Sequence, residues 1–433
     1  MAITTSTKRH KNNKNKKGVE LSAVAIGTSM ETEPEDSTIG NEFNLSPTQD
    51  SIRDWFLPVL STAFLITANT VGASCLVLPE LAAGPGLPLF GGVSLVTYAI
   101  NLVSGLIMAE VAIRQYEASG QDGSSSFKDF ADASFQSELV SSGIAWVSIL
   151  TNAAILAFTF DKAAQVGSHQ LGLGDPTTVL FGFVALVGVT LSSLSRENLS
   201  NVASVCVAGL FASFAALLLP GLAALQDPMA TMMAPPVVDA PIAAAAQAFP
   251  ILLLSLVYQN IVPSVAKILN YERSKVTASL ALGSFIPLAM YMLLNGGWAV
   301  TGFSMATIAG SSIGTTMSVA EEFDSFFASS SSETSQDDTV DDTFSMPAVA
   351  AAVAVPLAVI LGMGDGVDMT AALGLAGSIG TPLLYGVVPA AMAYQQQEQD
   401  RSLPAEASLA ALALASTGMV GQTLVEQVSA IVA

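Results

Sequence analysis

Apolar runs long enough to cross a bilayer follow one another along this chain almost without pause. About ten are found, near residues 57–79, 89–111, 143–166, 177–194, 201–225, 242–265, 276–302, 346–363, 369–394 and 405–432. A hydrocarbon core about 30 Å thick takes roughly 20 residues of helix. It offers no water to an open backbone, so runs of this kind have to be helical. Charged residues are only 12% of the 433, about half the share usual in soluble domains. The chain reads as an all-α polytopic membrane protein, with a membrane domain over 55–433 and a polar tail over 1–54.

The tail has no apolar core of signal-peptide length, and its basic cluster (Lys8, Arg9, Lys11, Lys14, Lys16, Lys17) is followed by many acids, unlike a transit peptide. It is expected to be a disordered cytosolic segment whose positive charge fixes orientation. The net charge of −20 comes largely from acids in the tail and loops. It describes a solvated surface rather than a partner; membrane lipid is expected around the spans, and no nucleic acid. With the tail inside, Arg114, Lys128, Arg196, Lys267, Arg273 and Lys275 all fall in inner loops. The outer loops Ala82–Pro88, Gln226–Pro241 and Gly310–Ser345 hold no Lys or Arg. Counting straight on, however, puts Arg401 outside; one more span before Met346 would bring it in. Cys75 and Cys206 lie inside apolar runs and read as small core residues.

The first run is interrupted by the stretch A-N-T-V-G-A-S-C-L-V-L-P, Ala68–Pro79. Asn69, Thr70, Gly72 and Ser74 are residues a lipid-facing helix avoids, and irregular backbone at this depth is tolerated only where it is buried or lines a cavity. The sixth run carries Pro250 and Pro263 with Tyr258-Gln259-Asn260 between them. Proline removes a backbone donor and clashes with the preceding turn, and polar side chains at mid-membrane need a cavity or a partner helix. Interrupted runs in first and sixth place are the mark of two five-helix halves in inverted repeat, with a binding site at mid-depth. Interruptions are expected near Thr70–Ser74 and Val257–Ile261, facing one another.

These segments resemble the tryptophan/tyrosine permease family. Ala68–Pro79 is similar to its motif G-T-T-I-G-A-G-x-L-A-L-P, with Thr70, Gly72, Ala73, Leu76, Leu78 and Pro79 matching. F-P-I-L-L-L-S-L-V-Y-Q-N-I-V-P-S-V and G-S-F-I-P-L-A, within Ala248–Ala289, resemble its sixth and seventh spans, and I-M-A-E-V with Glu110 resembles the end of its second. The likeness implies an eleven-span, LeuT-type carrier of aromatic amino acids in the amino acid/polyamine/organocation group. It implies a substrate held by Asn69, Thr70, Gly72, Ala73 and Ser74, faced by Tyr258, Gln259 and Asn260. The chain departs from the pattern at Asn69 (a Thr in the family), Ser74 (Gly), Val257 and Asn260 (Gly) and Gln259 (His).

The expected activity is secondary active transport of tyrosine or tryptophan by alternating access, without a cofactor or bound metal. Exposed helix-end N–H and C=O groups suit a zwitterion and explain why no Arg or Asp sits in Thr70–Ser74. A transport-inactive, receptor-like or truncated paralogue is the alternative. An enzyme is not expected, since no clustered His, Cys or paired carboxylates offer ligand or triad chemistry. Asp161 is the candidate coupling residue, because an ionisable group at membrane depth is costly. Adjacent residues point about 100° apart on a helix, so Asp161 and Lys162 are not a simple pair. Asn101 and Asn152 are expected to bridge helices, and Glu80 and Glu110 to sit at the interface.

Where the family has its eighth span, this chain shows a polar, acidic loop over about 309–345. About ten spans are therefore expected, the eighth being absent, and an added apolar segment of about 20 residues is expected in the native transcript between Ala309 and Met346. Since a sodium site in that fold draws on eighth-span hydroxyls, protons are expected to be the coupling ion, with sodium as the other choice.

Overall fold

The structure is a computed structural model that describes residues 47–120, 126–224, 235–294, 301–330, 343–363, 369–396 and 403–432. The proposed tail lies outside these, except for its last eight residues, which begin the first helix, α1. All regular structure among the described residues is helical. The first run forms α1 (Pro47–Thr70), a 3-10 turn (Ala73–Leu76) and α2 (Leu78–Ala83). After it come α3 (Leu87–Ser119), the short α4 (Phe127–Phe135), α5 (Glu138–Gln165, extended by a π turn to Gln170), α6 (Pro176–Ser193) and α7 (Arg196–Ala224). The sixth run is α8 (Pro241–Ser255), a 3-10 turn (Gln259–Ile261) and α9 (Val262–Ile268). The rest is α10 (Arg273–Leu294), α11 (Thr301–Ser330), α12 (Met346–Met363), α13 (Met369–Leu375) running through two π turns into α14 (Val388–Gln396), and α15 (Leu403–Val432). By length and composition seven of these are apolar enough to cross a membrane: α3, α5 with its π turn, α6, α8 with α9, α10, α12, and α13 with α14.

The helix α11 corrects the sequence reading. Residues 309–330 are not a polar loop but the greater part of a 30-residue helix packed against α5, α7 and α12. A helix thus stands where the eighth span was expected to be missing, although it is not among the seven apolar enough to cross; residues 331–342 lie outside the described residues. Hydropathy hides the helix because its inward face is made of hydroxyls and small residues. Ser304, Thr307, Ser312 and Thr316 are all buried, and the Thr316 hydroxyl donates back to the Ser312 carbonyl at 2.6 Å. A helix enclosed by other helices does not need a lipid-facing composition.

The acids near its end are also placed. Glu322 is 2% exposed, and its carboxylate accepts from the backbone N–H of Phe127 (2.8 Å) and Lys128 (3.3 Å) and from Ser126 Oγ (3.4 Å). It satisfies the free N–H groups that begin α4. The Glu322 end of α11 therefore lies beside the α3–α5 connection. The helix α14 also contacts α4; Arg401 lies outside the described residues. Glu322→Ala removes the acceptor shared by these three donors, at about 1–3 kcal/mol for a buried donor left unsatisfied. A lowered thermal midpoint in detergent is the expected result; Glu322→Gln, which keeps one acceptor oxygen, should lose less.

Close backbone approach joins α10 to α1. A Cβ at Gly283 would lie 2.7 Å from the Ala63 carbonyl oxygen and from Ile66 Cβ. Alongside it, Ser279 Oγ donates to the Val59 carbonyl (3.1 Å) and Thr67 Oγ1 to the Gly283 carbonyl (3.0 Å). The helix α10 is thus held to α1 at Ser279 and Gly283.

Candidate substrate site

Both expected interruptions occur, each slightly longer than the sequence indicates. The first spans Val71–Val77, with α1 stopping at Thr70 and α2 taking Pro79 in its first turn, where a missing N–H costs nothing. The Thr70 hydroxyl donates to the Ile66 carbonyl at 2.7 Å, supplying the kind of local bond that competes with helix continuation. Gly72 has φ −103° and ψ −176°, an extended conformation open to any residue. What limits the side chain there is space, since a Cβ would stand 3.2 Å from Ser311 Oγ on α11. The second spans Leu256–Ile261, with Pro263 starting α9.

The two interruptions meet. Asn69 Nδ2 donates to Asn260 Oδ1 at 2.9 Å, with a longer reciprocal bond of 3.4 Å, and both side chains are half-buried. The Tyr291 hydroxyl on α10 lies 3.0 Å from the Thr70 carbonyl oxygen and 2.9 Å from that of Ser255. These are the last residues of α1 and α8, so two helix C-terminal ends, each bearing partial negative charge, converge on one phenol. Gly72 is half-buried, while Ala73 and Ser74 are buried.

Tyr258 and Gln259 are brought elsewhere. Each is fully buried and turned to Asn101 on α3. Gln259 Nε2 reaches Asn101 Oδ1 (2.9 Å) and its carbonyl (3.2 Å), and the Tyr258 hydroxyl donates to that same carbonyl (3.3 Å). Asn101 in turn donates to the Leu253 carbonyl at 3.2 Å, so it bridges helices as its sequence suggests. A Cβ at Gly105 would fall 2.7 Å from Tyr258 Cε2, which leaves only glycine under that ring. Asn152 bonds within its own helix, to the Ser148 carbonyl at 3.0 Å.

Asp161 is half-buried and accepts from Gln165 Nε2 at 2.8 Å, while Lys162 Nζ donates to Gln165 Oε1 at 3.2 Å. Glu110 pairs with Arg114 (2.8 Å) and Arg273 (3.2 Å), tying the end of α3 to the start of α10. Cys75 and Cys206 are free thiols, and among the described residues no three His, Cys, Asp or Glu come together as a metal group.

Sequence reasoning misses Ser311 and Tyr291. Ser311 lies in the stretch taken for a loop, and its regular small-residue spacing is the signal that was available. Tyr291 is an aromatic residue in an apolar run, and nothing local separates it from core.

A sequence model of the tryptophan/tyrosine permease family matches residues 58–298 and 294–414. No curated protein matches the chain. Among solved structures, the chain is similar to the crystal structure of the Eremococcus coleocola manganese transporter in complex with an aromatic bis-isothiourea substituted compound. The TM-score is 0.51 at 12% identity, over 88% of this chain and 96% of that one. At that identity the likeness shows the fold alone, a LeuT-type helical membrane fold. The family match covers nearly the whole membrane domain, and so the chain belongs to the tryptophan/tyrosine permease family, as a multi-pass membrane permease and not an enzyme.

Proposed function

We propose that this permease carries an aromatic amino acid, tyrosine or tryptophan, by alternating access around the two interrupted helices. The observation that carries the reading is their meeting, with Asn69 bonded to Asn260 at 2.9 Å. Asn69, Thr70, Gly72, Ala73, Ser74 and Asn260 border the site. Helix-end N–H groups serve the carboxylate and helix-end carbonyls the ammonium. Tyr258 and Gln259 act from behind, holding the second interruption to α3 through Asn101. The N-terminus is cytosolic in this reading, because the basic loop residues then share the inner side.

Coupling to protons rests on Asp161 as the candidate coupling residue. Its other premise, a lack of hydroxyls in this region, is weakened by the buried Ser304, Thr307, Ser312 and Thr316 of α11. Sodium is the second reading, favoured by Ser311 standing against Gly72.

Uptake of labelled Tyr, Trp, Phe and Leu into proteoliposomes, under an imposed pH gradient or an imposed sodium gradient, tests both. Accumulation of Tyr or Trp well above Leu is the expected outcome, and the gradient that drives it names the ion. No uptake under either gradient would leave the receptor-like alternative in its place.

A further inference from the structure

We infer that Tyr291 is a positioning residue: its hydroxyl ties the carbonyl ends of the two interrupted helices together and sets the spacing of the site between them. The inference rests on reading the interruptions as the substrate site, but its structural part stands without that reading.

A helix that stops inside a membrane leaves its last carbonyls without intrahelical partners, and each such group is costly in hydrocarbon. At Thr70 and Ser255 one phenol answers for both. It lies 3.0 Å from one oxygen and 2.9 Å from the other, and it is fully buried, so no solvent competes. A buried tyrosine needs only one partner for its hydroxyl. This one reaches carbonyls on two different helices, both at the point where helix ends. A single proton shared between two acceptors favours neither, so the hydroxyl holds the two ends at a fixed distance without committing to one.

The mounting of Tyr291 is rigid in the same direction. Earlier in α10, Ser279 and Gly283 are hydrogen-bonded to Val59 and Thr67 of α1, which fixes the height of α10 against the first interruption. The Thr70 carbonyl also accepts from the Gly72 N–H at 2.9 Å. Tyr291 therefore bears on the same turn of backbone that begins the extended segment. Moving the hydroxyl displaces the entrance to that segment and the end of α8 at once.

Tyr291→Phe removes the hydroxyl and keeps the ring. Hydrogen exchange of the amides in Val71–Val77 and Leu256–Ile261, followed by mass spectrometry on substrate-free protein, reads the tie directly. Exchange in both segments is expected to rise by about tenfold, the equivalent of one buried hydrogen bond, with α10 itself unchanged. In the same variant the half-saturating concentration for tyrosine uptake should rise by a similar factor while the maximal rate, normalised to protein, holds. A rise confined to one interruption, a rise spread along α10, or no rise overturns the inference. If Tyr291→Phe does not accumulate, Tyr291→His, which keeps a ring donor at shorter reach, is read the same way, and a joint rise in both segments is again required. Should the wild type take up no aromatic amino acid, the proposed function fails, and the exchange result still decides the role of Tyr291.

Discussion

Replacing Gly72 by leucine reduces uptake to background while the protein still reaches the membrane in wild-type amount. The backbone at this position is extended, so an L-residue meets no conformational barrier. The obstacle is α11, whose Ser311 Oγ would lie 3.2 Å from the first added carbon. Alanine asks Ser311 to give by a few tenths of an ångström. Leucine adds three more carbons to a half-buried position between two helices, and they fill the space between the first interruption and α11 or push the two apart. Surface-normalised initial rates check this, with Gly72→Ala expected between the wild type and Gly72→Leu. Pairing Gly72→Ala with Ser311→Gly should restore most of the loss, since the added methyl then takes the place of the serine side chain. Wild-type uptake by Gly72→Leu would sink the site assignment.

The largest effect on stability is expected at Gly377, in the π turn Ala376–Gly380 between α13 and α14. A Cβ there would stand 2.6 Å from the carbonyl carbon of Pro250 on α8 and closer still to its oxygen. The obstacle is backbone and cannot rotate away, so the two helices have to separate. Overpacking of this kind costs about 1–3 kcal/mol and at times more. Gly374, one turn earlier, has nothing within 4 Å of its would-be Cβ, and it supplies the control. Gly377→Ala should lower the melting midpoint in detergent and the yield, whereas Gly374→Ala leaves both near wild type. Equal melting of the two variants would mean that α8 and the π turn are not in backbone contact.

The interruptions were legible in the sequence because they depend on local chemistry: prolines that remove donors, and short polar side chains where lipid forbids them. Their limits came within a few residues, Val71–Val77 against Thr70–Ser74 and Leu256–Ile261 against Val257–Ile261. What the polar residues face was less legible. Asn260 meets Asn69, but Tyr258 and Gln259 turn to Asn101. A polar side chain at depth satisfies itself equally well on a cavity or on a neighbouring helix, and composition does not separate the two. The helix α11 is hard to read from the sequence for a related reason. Hydropathy measures affinity for lipid, and α11 is clad mostly by protein. Tyr291 left no mark at all, because its role exists only once three helices are placed together.

The hydroxyl-lined face of α11 has a consequence for how the protein is made. Segments enter the bilayer from the translocon roughly in order of synthesis, each judged by its own apolarity. The helix α11, with Glu321, Glu322 and Asp324 near its end and hydroxyls along its core-facing side, is less apolar than the seven helices that meet the requirement for crossing. Its neighbours α5 and α7 are synthesised first, and they supply the surface that lets it stay. Burial of the hydroxyl face of α11 therefore depends on helices made before it. A chain that begins after α7 should leave that face uncovered, and such a fragment is expected to be lost to degradation rather than to accumulate.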